Sequence, residues 1–414
     1  MTNRSRMILA MILTYMILAV LLNSVGTLIL QAQLGMGASK SATSILDAFK
    51  DLPIAIVSFL TASLLPRLGY RRGMMLGLAL VAAACVAMPL LDAFWVIKAM
   101  LATVGVAFAL VKVSVYSSIG LLTDDKQAHA SLTSFIEGCF MVGVLCGPWL
   151  FGAFIRLQST PTDPVWLDVY WWLAGACAAV IVLLATARMD ESAARDDHDA
   201  AQSYGDMFRL IAMPLVIVFV VSAFLYVLIE QGINTWLPTF NRDVLHLSTV
   251  TSVQLASLFA ASTAVGRLGA GMVLRFVPWH RLLIFCLLAM AVLVLVVLPM
   301  AARVDPPAHD GWMHAPMVAF VFPLLGLFMS PIYPAINSVV LSALPKARHA
   351  AMTGLIVVFS ALGGTTGSFI TGQVFAHLGG QTAFYLSLVP MAVLLLAILL
   401  LKGQSSRHAA AALA

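Results

Sequence analysis

Long apolar runs separated by short polar turns dominate the chain. Each run has about twenty residues, which is the length that an α-helix needs to cross the hydrocarbon core of a bilayer. We therefore predict an all-α integral membrane protein with twelve transmembrane helices. They cover residues 7–31, 44–66, 73–92, 95–121, 131–155, 168–188, 211–238, 250–275, 279–301, 315–343, 349–376 and 381–402.

The twelve predicted spans fall into two sets of six. Residues 1–188 predict an N-terminal six-helix bundle and residues 211–414 a C-terminal one, joined by a charged linker at 189–210. A short basic turn lies between the second and third spans of each set, at residues 64–76 and 272–284. Such an internal repeat predicts two pseudo-symmetric bundles, the architecture of an alternating-access carrier.

Basic residues predict the orientation of the chain in the membrane. With the N-terminus inside, 15 Lys and Arg residues lie in inside segments, 4 lie in outside segments and 4 lie within spans. Cytoplasmic loops carry the excess of Lys and Arg in membrane proteins. We therefore expect a multi-pass protein of the cytoplasmic (inner) membrane with both termini in the cytoplasm.

Composition excludes several classes of protein. Apolar residues make up 61% of the chain and charged residues 10%, whereas soluble domains have about 45–50% and about 25%. A water-soluble enzyme, a nucleic-acid binder and a disordered scaffold are therefore excluded. Membrane lipid is the expected surrounding partner, and we expect a monomer.

Cysteine and histidine positions argue against cofactor chemistry. The five cysteines lie in apolar runs without a CxxC spacing, and the nine histidines lie in loops or at helix ends. There is no Gly-rich phosphate-binding loop of the GxxxxGK type. We expect no metal, no cofactor and no catalytic cluster, so the chain is not predicted to be an enzyme.

Charged residues within spans need a partner, a cavity or a function, because each costs about 2.5–3.5 kcal/mol on insertion scales. Asp47, Lys50 and Asp51 share one helix face. With Lys98 they are interpreted as a snorkelling ring near the headgroups, as an outer gate of opposite charges or as part of a substrate site. Arg67 and Arg267, near the inner ends of their spans, are assigned to the gating charges as well.

Lys112 and Glu137 lie at similar depth in the fourth and fifth spans, about 13 Å and about 9 Å from the inner end at about 1.5 Å per residue. They predict an ion pair, which is either structural or part of the substrate and proton pathway. A carboxylate separated from its lysine in low dielectric binds a proton more readily. Tyr116 is assigned to the same pathway.

Polar stripes mark two spans of the second half. Tyr226, Glu230 and Asn234 follow each other at intervals of four residues, which predicts one face that lines a cavity or forms hydrogen bonds between helices. Trp236 is interpreted as an interface anchor, with stacking on a ligand as the alternative. Tyr333 and Asn337 repeat the interval of four residues in the tenth span.

The turn after the second span resembles the hallmark motif of the major facilitator superfamily. It consists of Ala62, Pro66, Arg67, Gly69, Tyr70, Arg71 and Arg72, with Pro66 at the position of the usual aspartate. Residues 64–89, 226–236, 266–283 and 328–338 are similar to the fucose-permease branch of sugar–proton symporters. This resemblance implies that the first, fourth, seventh and tenth spans line the pathway. The buried acids of that branch align with Ser24 and Lys112, so both acids are replaced here.

We predict a secondary active transporter of a small polar solute, either sugar-like or an organic anion, that moves together with protons. The alternative is a proton-coupled antiporter that exports a drug or a metabolite. It is favoured by Ser24 and by Gly143, Gly147 and Pro148, which resemble the fifth-span motif of drug–proton antiporters. A membrane-embedded enzyme or receptor would need a catalytic cluster or a sensor domain, and the sequence has neither.

Overall fold

The computed structural model describes residues 3–122, 126–187, 213–307, 309–343 and 349–413. Within these ranges the regular elements are helices, and there is no strand. The prediction of an all-α protein is confirmed. The linker at 189–210 lies outside the described residues.

The described residues of the first half contain eight α-helices, and a short 3₁₀ turn precedes the eighth at Pro164–Asp168. They are α1 (Asn3–Leu22), α2 (Val25–Gly35), α3 (Lys40–Thr43), α4 (Leu46–Leu68), α5 (Tyr70–Leu91), α6 (Phe94–Leu122), α7 (Lys126–Ile155) and α8 (Val169–Thr186).

In the part of the second half that the structure describes there are nine α-helices, together with 3₁₀ turns at Trp312–His314 and Phe322–Leu324. They are α9 (Pro214–Asp243), α10 (Thr249–Val273), α11 (Trp279–Ala301), α12 (Met317–Val321), α13 (Leu325–Met329), α14 (Ile332–Ala343), α15 (His349–Leu378), α16 (Gly380–Tyr385) and α17 (Leu388–Leu413).

Eleven stretches of the described helices are long and apolar enough to cross a membrane. The predicted second span corresponds to α4, which is not among the eleven. Four charged residues lie in this helix: Asp47, Lys50, Asp51 and Arg67. The number of spans is thus close to the twelve expected.

The predicted first span, 7–31, is two helices rather than one. α1 ends at Leu22 and α2 begins at Val25. The Asn23 side-chain amide donates to the Ala19 carbonyl at 2.9 Å, and the Ser24 hydroxyl donates to the Leu21 carbonyl at 2.7 Å. Side chains of this type compete with the backbone for its hydrogen bonds, which explains the interruption.

The predicted tenth span, 315–343, is a chain of short helices, α12 to α14. Pro323 lies between α12 and α13 and Pro331 between α13 and α14, whereas Pro316 precedes α12 and Pro334 lies in the first turn of α14. Proline has no backbone N–H and clashes with the preceding turn, so a continuous helix is interrupted where prolines recur. Such interruptions are tolerated in membrane proteins where protein or water satisfies the freed carbonyls.

The helices group into two compact units. Unit 1 consists of Met1–Ser39 and Leu46–Ala200, and unit 2 of Lys40–Ile45 and Ala201–Ala414. In unit 1, α6 packs against α4 and α5, α5 against α8, and α1 against α7. In unit 2, α9 packs against α15 and α17, and α10 against α13.

The short helix α3 is part of unit 2, although it lies between helices of unit 1 in the sequence. The Lys40 ammonium lies 2.6 Å from a carboxylate oxygen of Asp243 and 4.6 Å from the ring centroid of Phe375. The Gln373 amide donates to the Ser41 hydroxyl at 2.8 Å and to the Ser44 hydroxyl at 3.2 Å. The apolar pattern alone treats this segment as an ordinary loop.

Glycines allow the closest helix packing in both units. A Cβ at Gly367 of α15 would overlap the carbonyl oxygen of Leu228 in α9. In unit 1, a Cβ at Gly143 of α7 would lie 2.7 Å from the carbonyl oxygen of Met16 in α1. Small residues let membrane helices approach in this way.

Candidate functional site

The polar cluster of unit 1 joins three helices around one carboxylate. The Tyr116 hydroxyl of α6 donates a hydrogen bond to Oε1 of Glu137 in α7. Tyr15 of α1 is 1% exposed, and its hydroxyl is close enough to Tyr116 and Glu137 to interact electrostatically with both. The cluster therefore holds the Glu137 carboxylate among phenol groups rather than among hydrocarbon.

Lys112 does not form the direct ion pair with Glu137 that its depth predicted. Among the described residues no salt bridge joins the two, although the charges interact electrostatically at longer range. The Lys112 ammonium instead lies 5.7 Å from the ring centroid of Phe108. The direct partner of the Glu137 carboxylate is instead the Tyr116 hydroxyl, which donates a hydrogen bond to one of its oxygens.

Three aromatic rings of unit 1 extend this cluster, and sequence reasoning missed all three. The ring centroids of Tyr15, Phe108 and Phe140 lie 5.4–6.1 Å from one another. Phe108 precedes Lys112 by four residues and Phe140 follows Glu137 by three, so each ring shares a helix face with a charged residue. That spacing is the sequence signal that could have identified Phe108 and Phe140.

The polar cluster of unit 2 is built on α9. The Tyr226 hydroxyl donates to Oε1 of Glu230 at 3.1 Å, one turn along the same helix. The Tyr226 ring stacks on Tyr333 of α14, with centroids 5.3 Å apart and planes 28° apart. The Tyr333 hydroxyl lies 3.1 Å from the Ser360 hydroxyl of α15. The two predicted stripes therefore meet in one cluster.

Two further predicted residues lie near this stack, and a third lies one turn along α9. Arg267 of α10 is close enough to Tyr226 and Tyr333 to interact electrostatically with both, which places a gating candidate beside the pathway candidates. Asn337 lies beside the Tyr333 hydroxyl. Asn234 is half-buried, one turn beyond Glu230.

The proposed outer gating charges form a buried ion triad on α4. The Lys50 ammonium lies 3.0 Å from Asp47 and 3.5 Å from Asp51. The three side chains are 8%, 0% and 13% exposed, in that order. A Cβ at Gly105 would overlap the Lys50 carbonyl oxygen, so α4 and α6 are in close contact at this level. Two carboxylates share one ammonium, which leaves the triad with a formal charge of −1.

The two remaining gating candidates differ in what the structure describes. The Lys98 ammonium lies 4.6 Å from the ring centroid of Phe94 and 5.7 Å from that of Phe49. These are cation–π contacts, in which the aromatic rings attract the Lys98 ammonium. The side chain of Arg67 lies outside the described residues.

Trp236 is neither an interface anchor nor an exposed ring, so that interpretation is wrong. Its side chain is fully buried, and its indole N–H donates to the Ser368 carbonyl at 3.0 Å. Its ring packs against Phe375, with centroids 5.6 Å apart, and against the Cα of Gly372, where a Cβ would overlap the indole. Trp236 therefore belongs to the packing between α9 and α15.

Within the described ranges, no group of three or more His, Cys, Asp or Glu side chains is arranged to hold a metal ion. The two clusters offer hydrogen-bond donors and acceptors of the kind that a polar solute needs. Each combines a carboxylate, a phenol donor and a cation within electrostatic reach.

Comparison with known proteins identifies the family. Residues 7–309 match the model of the Major Facilitator Superfamily. A search of curated protein sequences finds no match.

Solved structures of transporters share the fold at low sequence identity. The nucleoside transporter NupG has a TM-score of 0.72 and 15% identity, over 97% of this chain and 99% of that chain. A D-xylose–proton symporter has a TM-score of 0.69 and 14% identity, over 97% of each chain. A variant of the E. coli fucose:proton symporter FucP has a TM-score of 0.60 and 14% identity, over 96% of this chain and 99% of that chain.

These similarities indicate a transporter rather than an enzyme. The family model covers well over half of the sequence, and the solved structures match nearly the whole chain. The protein therefore belongs to the Major Facilitator Superfamily.

Proposed function

We propose that the protein is a secondary active transporter that takes up a small polar solute together with protons by alternating access. The observation that carries the proposal is the pair of clusters around Glu137 and Glu230, each with a tyrosine hydroxyl bonded to the carboxylate. Ionisable residues inside membrane spans are expensive and commonly mark substrate pathways or proton relays.

Proton coupling follows from how these carboxylates are surrounded. A carboxylate that accepts a hydrogen bond and interacts electrostatically with a nearby cation is stabilised in its ionised form. If a conformational change removes the tyrosine or moves the cation away, the same group takes up a proton in low dielectric. Protonation would then be linked to the direction in which the pathway opens.

The class of solute follows from the groups that the clusters offer. Phenol, amide and carboxylate groups provide donors and acceptors, and the stacked Tyr226 and Tyr333 provide a flat apolar face. A hydroxylated ring, sugar-like or nucleoside-like, presents both features. The solved neighbours include a nucleoside transporter and two sugar–proton symporters, which supports this class. Lys112 also leaves room for an organic anion.

Export by antiport is the second candidate. It is favoured by α7, where Gly143 packs closely on α1 and Gly147 is followed by Pro148 inside the helix. In either case we propose the cytoplasmic membrane as the location, with both termini in the cytoplasm and a monomeric chain.

One reconstitution experiment tests the proposal and separates the two candidates. Purified protein in proteoliposomes with a trapped pH-sensitive dye is exposed to pentoses, deoxyhexoses, nucleosides, organic acids and cationic drugs, one at a time. Acidification of the lumen on adding a solute outside supports symport, and alkalinisation supports antiport. Saturable solute flux without any proton movement would contradict proton coupling in both forms.

A further inference from the structure

Two histidines lie next to each other in the connection between α11 and α12, away from both polar clusters. The ring centroids of His309 and His314 are 5.3 Å apart, and their planes make an angle of 69°. Both side chains are exposed. Neither residue has a part in the transport function proposed above.

The spacing of the two rings suits a shared metal ion. A zinc–nitrogen bond is about 2.0–2.1 Å long, and an imidazole centroid lies about 1.1 Å behind its nitrogen, so each centroid would be about 3.2 Å from the ion. Two such arms at the tetrahedral angle of about 109° place the centroids about 5.2 Å apart. The observed spacing of 5.3 Å is close to this value, so the two imidazoles are near enough to share an ion once a nitrogen of each ring turns toward it.

The backbone around the pair is held independently of any ion. Asp310 accepts a hydrogen bond from the Thr251 hydroxyl at 2.9 Å, and the Trp312 indole N–H donates to Gln254 at 3.1 Å. Both partners lie in the first turns of α10. Gly311 has a φ of +118°, which reverses the chain between the two histidines. The rings are therefore presented side by side by a turn that is already formed.

We propose that His309 and His314 together bind a divalent transition-metal ion such as Zn²⁺, with water in the remaining coordination positions. Neutral imidazole suits Zn²⁺, Cu²⁺ and Ni²⁺, whereas Mg²⁺ and Ca²⁺ prefer oxygen ligands. No third His, Cys, Asp or Glu completes the site within the described part of the chain. Asp310 instead holds Thr251, so the site is open and suits reversible binding. A bound ion would link His309 to His314 across the turn.

Calorimetric titration of Zn²⁺ into the full-length protein, purified without a polyhistidine tag, tests this proposal. We expect saturable binding of one ion, with an affinity that falls at least about tenfold in His309→Ala and in His314→Ala, the lower end of what losing a supporting metal contact costs. His377→Ala removes another exposed histidine and should bind as the unmodified protein does. Mg²⁺ should give no binding heat.

A second measurement separates metal binding from simple contact between the rings. In His314→Phe the edge-to-face contact remains but the ligand is lost, so the thermal stability without metal should persist while the rise caused by Zn²⁺ disappears. The proposal is overturned if the unmodified protein gives no saturable Zn²⁺ binding, or if binding survives both alanine substitutions. Neither readout depends on transport.

Discussion

The two polar clusters are chemically alike but are held together differently. Each has a glutamate, a tyrosine that donates to it, further aromatic rings and a basic residue within electrostatic reach. In unit 1 the bond from Tyr116 to Glu137 joins α6 to α7. In unit 2 the bond from Tyr226 to Glu230 lies within α9, and the stack of Tyr226 on Tyr333 joins α9 to α14.

Because of this difference, the two tyrosine–glutamate hydrogen bonds depend differently on the packing of the helices. Transmembrane helices remain largely helical even when their packing is lost, because the bilayer does not satisfy free backbone groups. A hydrogen bond within α9 can therefore persist without tertiary structure, whereas the bond between α6 and α7 cannot. Separating α6 from α7 would free Glu137, but separating α9 from α14 would leave Tyr226 bonded to Glu230.

The largest expected effect comes from removing each acid. Glu137→Gln and Glu230→Gln should each abolish proton-driven accumulation, which one proton per solute can raise to roughly fifty-fold at about 100 mV. Exchange of labelled for unlabelled solute should continue, since it needs no net proton movement. Uptake and counterflow in proteoliposomes measure the two quantities.

The exposed Asp168→Asn variant is the matched control and should accumulate solute normally. If only one glutamine variant loses accumulation while the other raises KM, the two clusters divide proton coupling and solute binding between them. Normal accumulation in both variants would remove the proposed role of these residues.

Glycine substitutions test the packing behind each cluster. Gly143→Ala, beside Met16 on α1, and Gly367→Ala, beside the turn of α9 between Tyr226 and Glu230, should each lower the free energy of unfolding by about 1–3 kcal/mol through overpacking. Gly138→Ala and Gly269→Ala are controls, because a Cβ at either site would have no atom of the described part of the chain within 4 Å. Denaturant unfolding in detergent measures the effect. Equal losses at packed and open sites would contradict the close approach.

Removing the tyrosine hydroxyls tests the comparison directly. Tyr116→Phe should cost about 1.5 kcal/mol, the lower end for a hydrogen bond to a charged group, because Glu137 is only half-buried. Tyr226→Phe should cost less, since its bond within one helix contributes to the unfolded state as well. A double-mutant cycle with the glutamine variants isolates each coupling energy. A larger coupling energy between Tyr226 and Glu230 than between Tyr116 and Glu137 would contradict the view that only the bond between helices depends on tertiary structure.

Two buried glutamines provide the smallest effect and a second contrast between the units. Gln31 of α2 is 1% exposed, and among the described residues neither its amide nitrogen nor its oxygen has a hydrogen-bond partner. Gln254 of α10 is 6% exposed and accepts from Trp312. An unsatisfied buried polar group costs about 1–3 kcal/mol.

Gln31→Met should therefore raise the free energy of unfolding by about 1 kcal/mol, whereas Gln254→Met should lower it by a similar amount because it leaves the indole N–H of Trp312 without its partner. Thermal unfolding of both variants measures the two signs. A lower stability of Gln31→Met would mean that the amide has a stabilising partner in the membrane.

Sequence alone determined the membrane class, the helical architecture and the stripe of Tyr226 and Glu230, because these depend on residue counts and helical spacing that are local along the chain. It also indicated the buried charges, since a charge in an apolar run is visible without coordinates. Asn23, Ser24 and the prolines are sequence signals for the breaks in the first and tenth spans. The continuous apolar pattern nevertheless predicts one unbroken helix for each of these spans.

Only the tertiary structure decided which helices meet. It gave Glu137 a tyrosine partner instead of Lys112, placed Arg267 beside the Tyr226 stack, buried Trp236 against Gly372 and brought α3 into unit 2. The depth of a residue in the membrane can be estimated from its position in a span, but this depth does not determine which side chain it contacts. Which side chain occupies a carboxylate depends on how helices rotate and approach, and glycines distant in sequence set that geometry.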